Sequence, residues 1–112
     1  GMGRMREVCG ACSSMFMVAG LLYGYTSAND IEEKAAHYRR IQELAGQFKD
    51  VHETIICIDL LKGLKVNRDP VPELRTEAYY KARPCIRFVK TAAEILDRYI
   101  AENPPKNMQQ KG

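Results

Sequence analysis

The sequence predicts an all-α fold, a small bundle of about four to five helices that form a single domain. Apolar residues recur at intervals of three and four along most of the chain, which is the periodicity of helices with one buried face. The chain has 112 residues, 46% hydrophobic and 28% charged, which fits one globular domain. Only residues 54–58 carry a β-branched run that would favour a strand.

The first helix is predicted from Arg4 to Tyr23. Apolar residues cover so much of its surface that we expect it to be central and mostly buried. Gly10 and Gly20 lower its helical propensity and indicate close approach of a neighbouring helix, whereas Gly24 can end it. Its main stripe consists of Met5, Cys9, Cys12, Phe16, Ala19, Gly20 and Tyr23.

The second helix is predicted to begin after Asn29 and Asp30, which are favourable N-cap residues. Glu32 and Glu33 then lie in its first turn, where acidic side chains stabilise a helix. We expect this helix to end near Lys49-Asp50. Its inward stripe consists of Ile31, Ala35, Tyr38, Ile41, Ala45 and Phe48.

Residues 54–58 fit either a short strand or a short helix. We favour the helix, because apolar residues from position 57 onward repeat at helical spacing, Thr54 can cap it and Gly63 can close it. Residues 65–72 form the clearest predicted loop, since Asn, Asp and Pro cluster there. Residues 72–81 suit another short helix.

The last helix is predicted to begin at Arg83-Pro84, because proline is favoured at the first helical position, and to run to about Glu102. The prolines of Asn103-Pro104-Pro105 stop it. We therefore assign residues 1–102 to one helical domain and expect residues 103–112 to form a disordered tail. The inward stripe of this helix consists of Cys85, Phe88, Val89, Ala92, Leu96, Tyr99 and Ile100.

The charge pattern excludes two classes of partner. A net charge of +3, from 17 Lys and Arg against 14 Asp and Glu, is too weak and too evenly spread for binding nucleic acid or a membrane surface. Arg4 and Arg6 ahead of the apolar residues 15–25 resemble a signal peptide, but Glu7 and Gly10 interrupt that pattern. The apolar run is also shorter than the roughly 20 residues of a membrane span. We therefore expect a cytoplasmic protein.

The cysteines carry most of the functional information, and we predict all four on inward-facing stripes. Cysteine at such a position is most often a small core residue, so an inert helical scaffold is one interpretation. Cys57 and Cys85, however, fall in the first turns of their helices, where backbone N–H groups and the helix dipole favour a thiolate. Arginines at positions 83, near Cys85, and at 4 and 6, near Cys9, would favour it further.

Cys9 and Cys12 form a C-x-x-C motif, which places both sulfurs on one face of a helix. A thioredoxin site is not expected, because its motif follows a strand in a βαβ unit and only eight residues precede Cys9. The alternative is a metal site in which Cys9, Cys12, Cys57 and Cys85 bind zinc or an iron–sulfur cluster. One C-x-x-C with two single cysteines is a weaker ligand pattern than two paired motifs, so we rank the metal site below the redox prediction. The redox prediction itself requires no cofactor.

Cys–His catalysis is a further candidate. His52 lies five residues before Cys57 and is predicted near the start of the same helix, within reach of that thiol. His37 lies at the edge of the second helix's apolar stripe, and we expect it to be a boundary residue. Because no glycine-rich oxyanion element or third orienting group accompanies them, a hydrolase is not expected.

Several short motifs follow one another along the chain. They are Gly3-Arg4 before Cys9-Gly10-Ala11, Gly20-Leu21 with Tyr23-Gly24, Ile56-Cys57 before Leu60-Leu61-Gly63, and Arg83-Pro84-Cys85 before Ala92-Ala93. Together these motifs resemble the C-GCAxxG-C-C family, small bacterial and archaeal proteins described as redox-active. The resemblance covers about residues 3–100. The family's C-G-A-x-x-G motif falls on residues 9–14, with Ser14 in place of its last glycine, and the later family cysteines match Cys57 and Cys85.

The resemblance implies a further cysteine on an earlier helix, ahead of a glycine-rich turn. This sequence starts inside that turn, at Met2-Gly3, so either the start codon is placed too late or the protein is an N-terminally truncated member. Without the earlier helix, apolar surface on the first helix is exposed, and a second copy in a homodimer could cover it. Cys12 is not among the family's four cysteines, and whether it replaces the missing thiol is left open. Family genes often lie near transporter genes, which implies a functional link to a transporter.

The leading prediction is a cytoplasmic thiol protein in which Cys9, Cys57 and Cys85, with or without Cys12, exchange disulfides with an unidentified redox partner. If the protein is an enzyme, it is a thiol–disulfide oxidoreductase. A metal-binding module and a scaffold with inert core cysteines are the two alternatives.

Overall fold

The structure is a computed structural model that describes residues 1–64, 68–71, 74, 76–78 and 84–105. Within these ranges the chain forms four named helices, which confirms the all-α prediction. They are α1 (Gly10–Tyr23), α2 (Ile31–His52), α3 (Cys57–Leu60) and α4 (Cys85–Glu102). The three long helices α1, α2 and α4 each pack against the other two. No helix of this described part is long and apolar enough to cross a membrane.

The first helix begins at Gly10, so its predicted start at Arg4 is wrong. The preceding N-terminal segment, residues 1–9, has positive φ angles at Met2, Gly3, Arg4 and Arg6. A left-handed backbone cannot continue into a right-handed helix, and it puts Met5 on the surface, 57% exposed. The helix ends at Tyr23 with Gly24 as its C-cap, as predicted, and a Cβ atom at Gly24 would collide with the Gly20 carbonyl oxygen.

The N-terminal segment pairs instead with residues 55–58. Val8 and Ile56 form an antiparallel bridge. The Cys9 N–H donates to the Ile55 carbonyl at 2.8 Å, and the Cys57 N–H donates to the Glu7 carbonyl at 2.6 Å. Ile56 is therefore extended, and the favoured short helix, α3, begins only after it, at Cys57. Of the competing strand interpretation, only the isolated bridge at Ile56 is present.

Two loop contacts hold the N-terminal segment on its other side. Arg68 donates from Nε to the Met5 carbonyl at 3.4 Å, and Arg4 donates to the Val71 carbonyl. Residues 68–71 are irregular, in agreement with the predicted loop at 65–72, whose other residues lie outside the described ranges. Of the predicted helix at 72–81, only residues 77 and 78 are described as helical.

Helix α2 begins as predicted, because the Asp30 carboxylate accepts a hydrogen bond from the Glu33 N–H at 3.0 Å. It continues past Lys49-Asp50 and ends at His52. Its predicted inward stripe is only partly correct. Phe48 is buried, but Ile31 and Tyr38 are 70% and 53% exposed, and Leu44 replaces them in the core. Ile31 is the first residue of the helix, where its side chain remains in solvent.

Helix α4 runs to Glu102 as predicted, although Pro84 is its N-cap rather than its first helical residue. The helix buries Phe88, Ala92, Ile95 and Tyr99, whereas Val89 is exposed. Beyond its end, the Asn103 carbonyl accepts a hydrogen bond from the Tyr23 hydroxyl at 2.5 Å, and Pro105 is fully buried. The remainder of the tail expected to be disordered, residues 106–112, lies outside the described ranges.

One hydrophobic core joins the helices. Its buried residues are Cys12, Met15, Ala19, Leu44, Phe48, Cys57, Leu61, Phe88, Ala92, Ile95 and Tyr99. Two of the four cysteines therefore belong to the core, and a third, Cys9, packs against it. The fold brings these three thiols to the end of the bundle at which α1 and α3 begin.

Candidate functional site

The C-x-x-C motif lies at the N-terminus of α1. Cys9 is the N-cap residue and is half-buried, whereas Cys12 lies in the first turn and is fully buried. The placement follows from the bridge between Val8 and Ile56, because this bridge keeps the backbone extended up to Cys9. The sequence prediction that the motif lies within a helix was therefore wrong for Cys9, which stands at a helix N-terminus where a negative charge is stabilised.

The pKa values of the two thiols are shifted in opposite directions. A hydrogen bond from the Cys12 thiol is the largest influence on Cys9 and lowers its pKa from 9.0 to about 6. The backbone N–H groups of Ala11 and Cys12 lower it further, although neither makes a full capping hydrogen bond, and burial acts in the opposite direction. The same hydrogen bond, together with burial, raises the pKa of Cys12. Cys9 is thus the anionic member of the pair and Cys12 the protonated one.

Cys57 is the third thiol of this region. It is the first residue of α3 and is buried, as the sequence predicts. The Arg6 guanidinium donates from Nη1 to its sulfur at 3.9 Å. Arg6 is itself only 5% exposed and has a φ of 63°. The sequence interpretation assigned this arginine to Cys9, but the structure places its guanidinium at Cys57.

Cys85 does not join the group. It is the first residue of α4, as predicted, but it is exposed, so the expectation of an inward-facing Cys85 is wrong. The inward face of α4 begins with Phe88, three residues further along. Arg83, expected to support this thiol, lies outside the described residues.

The two histidines make their described contacts with residues other than the cysteines. His52 ends α2 instead of beginning the helix of Cys57, and its Nε2 lies 2.8 Å from the Thr91 hydroxyl between the rings of Phe48 and Phe88. The suggested approach of His52 to Cys57 is therefore wrong. His37 is a partly buried boundary residue, as expected, with its Nδ1 2.8 Å from the Arg40 guanidinium.

The donor groups do not assemble a metal site in the described part of the chain. No three His, Cys, Asp or Glu side chains there form a group that could hold a metal ion. Cys85 is exposed, whereas the other three thiols are buried or half-buried. Cys57, the third potential ligand beside Cys9 and Cys12, already contacts the Arg6 guanidinium. A cation at the sulfur disfavours a bound metal cation at the same atom.

Two features of the site were missed from the sequence. One is the helix N-terminus at Cys9, which Gly10 signals weakly, because glycine disfavours a helix interior. The other is the contact between Arg6 and Cys57, 51 residues apart, which has no local signal in the sequence.

The comparisons with known proteins show one family match. No curated protein and no solved structure gives a significant match. The model of one protein family, described as "Putative redox-active protein (C_GCAxxG_C_C)", matches residues 1–99. Because that match spans most of the chain and includes Cys9, Cys57 and Cys85, this protein belongs to the C-GCAxxG-C-C family of redox-active proteins.

Proposed function

We propose that this protein exchanges disulfides with a partner through the Cys9–Cys12 pair. The observation that carries the proposal is the geometry of the pair: Cys9 is the half-buried N-cap of α1 and Cys12 is buried in its first turn, where the Cys12 thiol lowers the pKa of Cys9 to about 6. Thiol–disulfide exchange needs an accessible thiolate as nucleophile and a second thiol within reach to resolve the product. The half-buried Cys9 and the fully buried Cys12 supply these two roles.

In the first step the Cys9 thiolate attacks one sulfur of a partner disulfide. A bond forms between Cys9 Sγ and that sulfur, the partner's S–S bond breaks, and the other partner sulfur leaves as a thiolate. The N-terminus of α1 favours Cys9 as an anion before the attack. The product is a mixed disulfide between Cys9 and the partner.

In the second step Cys12 resolves the mixed disulfide. When Cys9 becomes part of a disulfide it loses its negative charge, so the hydrogen bond that raises the pKa of Cys12 loses its acceptor. Cys12 then gives up its proton and attacks Cys9 Sγ, which releases the second partner sulfur as a thiolate. Overall the partner disulfide gains two electrons and two protons, and the Cys9–Cys12 dithiol becomes a disulfide.

A glutathione trap tests both steps. The reduced protein, with Cys57 and Cys85 both replaced by serine, is mixed with oxidised glutathione at pH 7 and quenched with acid. We expect a Cys9–Cys12 disulfide and two released glutathione molecules per protein, measured by intact mass and peptide mapping.

The matched variant adds Cys12→Ser to the same background, and we expect a stable mixed disulfide with glutathione at Cys9. The reciprocal Cys9→Ser variant should react slowly, because the remaining thiol is fully buried and burial by itself raises its pKa. Equal reaction rates for the two single-thiol variants would contradict the assignment of Cys9 as nucleophile.

A further inference from the structure

The buried arginine beside Cys57 has two unfavourable properties for an ordinary structural residue. Arg6 adopts φ 63°, a left-handed conformation that is unfavourable for a residue other than glycine. Its side chain is only 5% exposed, and burying a charge is costly unless the charge is paired or hydrogen-bonded. Backbone strain of this kind is concentrated at functional sites. The Nη1 contact to Cys57 Sγ, at 3.9 Å, places the guanidinium of this arginine beside the thiol.

The strand register relates Cys57 to Cys9. Val8 and Ile56 lie opposite each other in the bridge, so Cys9 and Cys57 each follow a bridge residue on its own strand. Side chains alternate between the two faces of paired strands, so both cysteines lie on the face opposite to Val8 and Ile56. Cys9 lies opposite Ile55 and Cys57 lies opposite Glu7, which makes the two cysteines diagonal neighbours. Each donates its backbone N–H to the other strand, which fixes this register.

The spacing of such a pair is close to what a disulfide requires. Diagonal neighbours are about 7–8 Å apart, and the Cα atoms of a disulfide are usually about 4.4–6.8 Å apart. A Cys9–Cys57 bond therefore needs a shift of about an ångström. Three backbone hydrogen bonds join the N-terminal segment to residues 55–58, donated by Cys9, Cys57 and Ile58, and the shift has to be accommodated within them.

We propose that Cys57 is a second resolving thiol for Cys9 and that Arg6 is its positioning residue. This inference rests on the proposed exchange function. Cys57 Sγ attacks Cys9 Sγ of a disulfide, a Cys9–Cys57 bond forms, and the sulfur previously bound to Cys9 leaves as a thiolate. When the leaving sulfur is Cys12, the electrons move only within the protein; when it belongs to a partner, Cys57 is oxidised and the partner sulfur is reduced. In both cases the proton of the Cys57 thiol goes to solvent, and the leaving thiolate takes one up. The guanidinium stabilises the negative charge that Cys57 Sγ carries when it attacks and, in the reverse reaction, when it leaves.

The exchange also changes which part of the chain is cross-linked. A Cys9–Cys12 disulfide lies within the start of α1, whereas a Cys9–Cys57 disulfide joins the N-terminal segment to α3. When Cys57 displaces Cys12, the buried Cys12 thiol is restored while the protein stays oxidised. The site can thus hold one disulfide in two alternative positions.

The test uses a background with Cys12→Ser and Cys85→Ser, in which only Cys9 and Cys57 remain. After reaction with oxidised glutathione, we expect the mixed disulfide at Cys9 to disappear as a Cys9–Cys57 disulfide forms, with release of a second glutathione. Adding Cys57→Ser should make the mixed disulfide persist. If it persists while Cys57 is present, the inference is wrong but the proposed function stands. If Cys9 forms no mixed disulfide in any background, the proposed function itself fails.

Arg6→Lys and Arg6→Met separate the charge of Arg6 from its packing. We expect Arg6→Met to slow the Cys57 step by about ten- to a hundredfold, the rate equivalent of a charge-assisted hydrogen bond, and Arg6→Lys to restore part of the rate. Neither change should slow resolution by Cys12 in the protein that lacks Cys57 and Cys85. Equal slowing of both steps would show that Arg6 only supports the fold. If Arg6→Met does not fold, Arg6→Gly removes the guanidinium and suits the positive φ.

Discussion

At the scale of single residues, the interaction between the Cys9 and Cys12 thiols gives them different protonation states. With a pKa of about 6 for Cys9, roughly 90% of this thiol is ionised at pH 7, against about 1% for a thiol of pKa 9.0. The role proposed for Cys12 follows from its burial and its position one helical turn beyond Cys9. Sequence spacing could indicate that the two sulfurs share a face. It could not show which one is anionic, since that depends on the helix start and on burial.

Replacing Cys12 tests directly whether its thiol lowers the pKa of Cys9. In a background without Cys57 and Cys85, we expect the alkylation rate of Cys9 by iodoacetamide to rise with a midpoint near pH 6. Cys12→Ser keeps a hydroxyl donor and should keep the midpoint low, whereas Cys12→Ala removes the donor and should move it towards 9. An unchanged midpoint in Cys12→Ala would mean that the hydrogen bond does not control the acidity of Cys9.

At the scale of the elements, the helix ends that are set by neighbouring residues were predicted correctly, and those set by contacts with distant residues were not. The start of α2 and the end of α4 were correct because Asp30 and the two prolines after Asn103 act locally. The start of α1 was wrong because pairing with residues 55–58 holds the N-terminal segment extended, and no local pattern reports that pairing. Cys85 was placed inward because its stripe was extended to the first residue of α4, where the helix no longer faces the core.

A polar link between α2 and α4 should contribute to stability. Thr91 donates its hydroxyl proton to the Arg87 carbonyl at 2.9 Å, so it accepts from His52 Nε2 at 2.8 Å. We expect Thr91→Val to lower the free energy of unfolding by about 1 kcal/mol, measured by urea denaturation at pH 7. Thr91→Ser retains the hydroxyl and should cost less. Equal losses in the two variants would assign the effect to packing.

The same link predicts how stability changes with pH. Burial, with the charge of Arg87 as a smaller cause, lowers the pKa of His52 below its usual 6.5, and burial with Arg40 does the same for His37. The unfolded chain therefore binds protons more readily than the folded one below pH 6.5, so the free energy of unfolding should fall as the pH drops from 7 to 5. Imidazole titration by NMR should show both pKa values below 6.5, and values at or above 6.5 would contradict this expectation.

At the scale of the whole molecule, three mutually packed helices form the core but leave part of α1 exposed. Met17 and Leu21 are 70% and 82% exposed and lie one turn apart, with Val18 beside them. Such a patch is consistent with the homodimer expected from the sequence, since two-fold pairing of identical surfaces is the commonest assembly of soluble proteins. The sequence predicted that α1 is apolar on several sides, but only the packing of α2 and α4 determines which side is exposed.

We therefore predict a concentration-dependent dimer that Leu21→Glu dissociates, measured by analytical ultracentrifugation. Ile86→Glu, at a similarly exposed apolar position on α4, is the matched control and should leave the dimer intact. A wild-type protein that stays monomeric at all accessible concentrations, or equal effects of the two substitutions, would contradict an interface on α1.

The most direct test of the redox account is an equilibrium titration of the wild-type chain in glutathione buffers of graded potential. Each sample is quenched by alkylation and mapped by mass spectrometry. We predict a reversible two-electron transition in which the protein loses two hydrogens and Cys9 is present in every intramolecular disulfide, paired with Cys12 or Cys57. Four thiols that stay reduced across the range, or disulfides that exclude Cys9, would contradict the account.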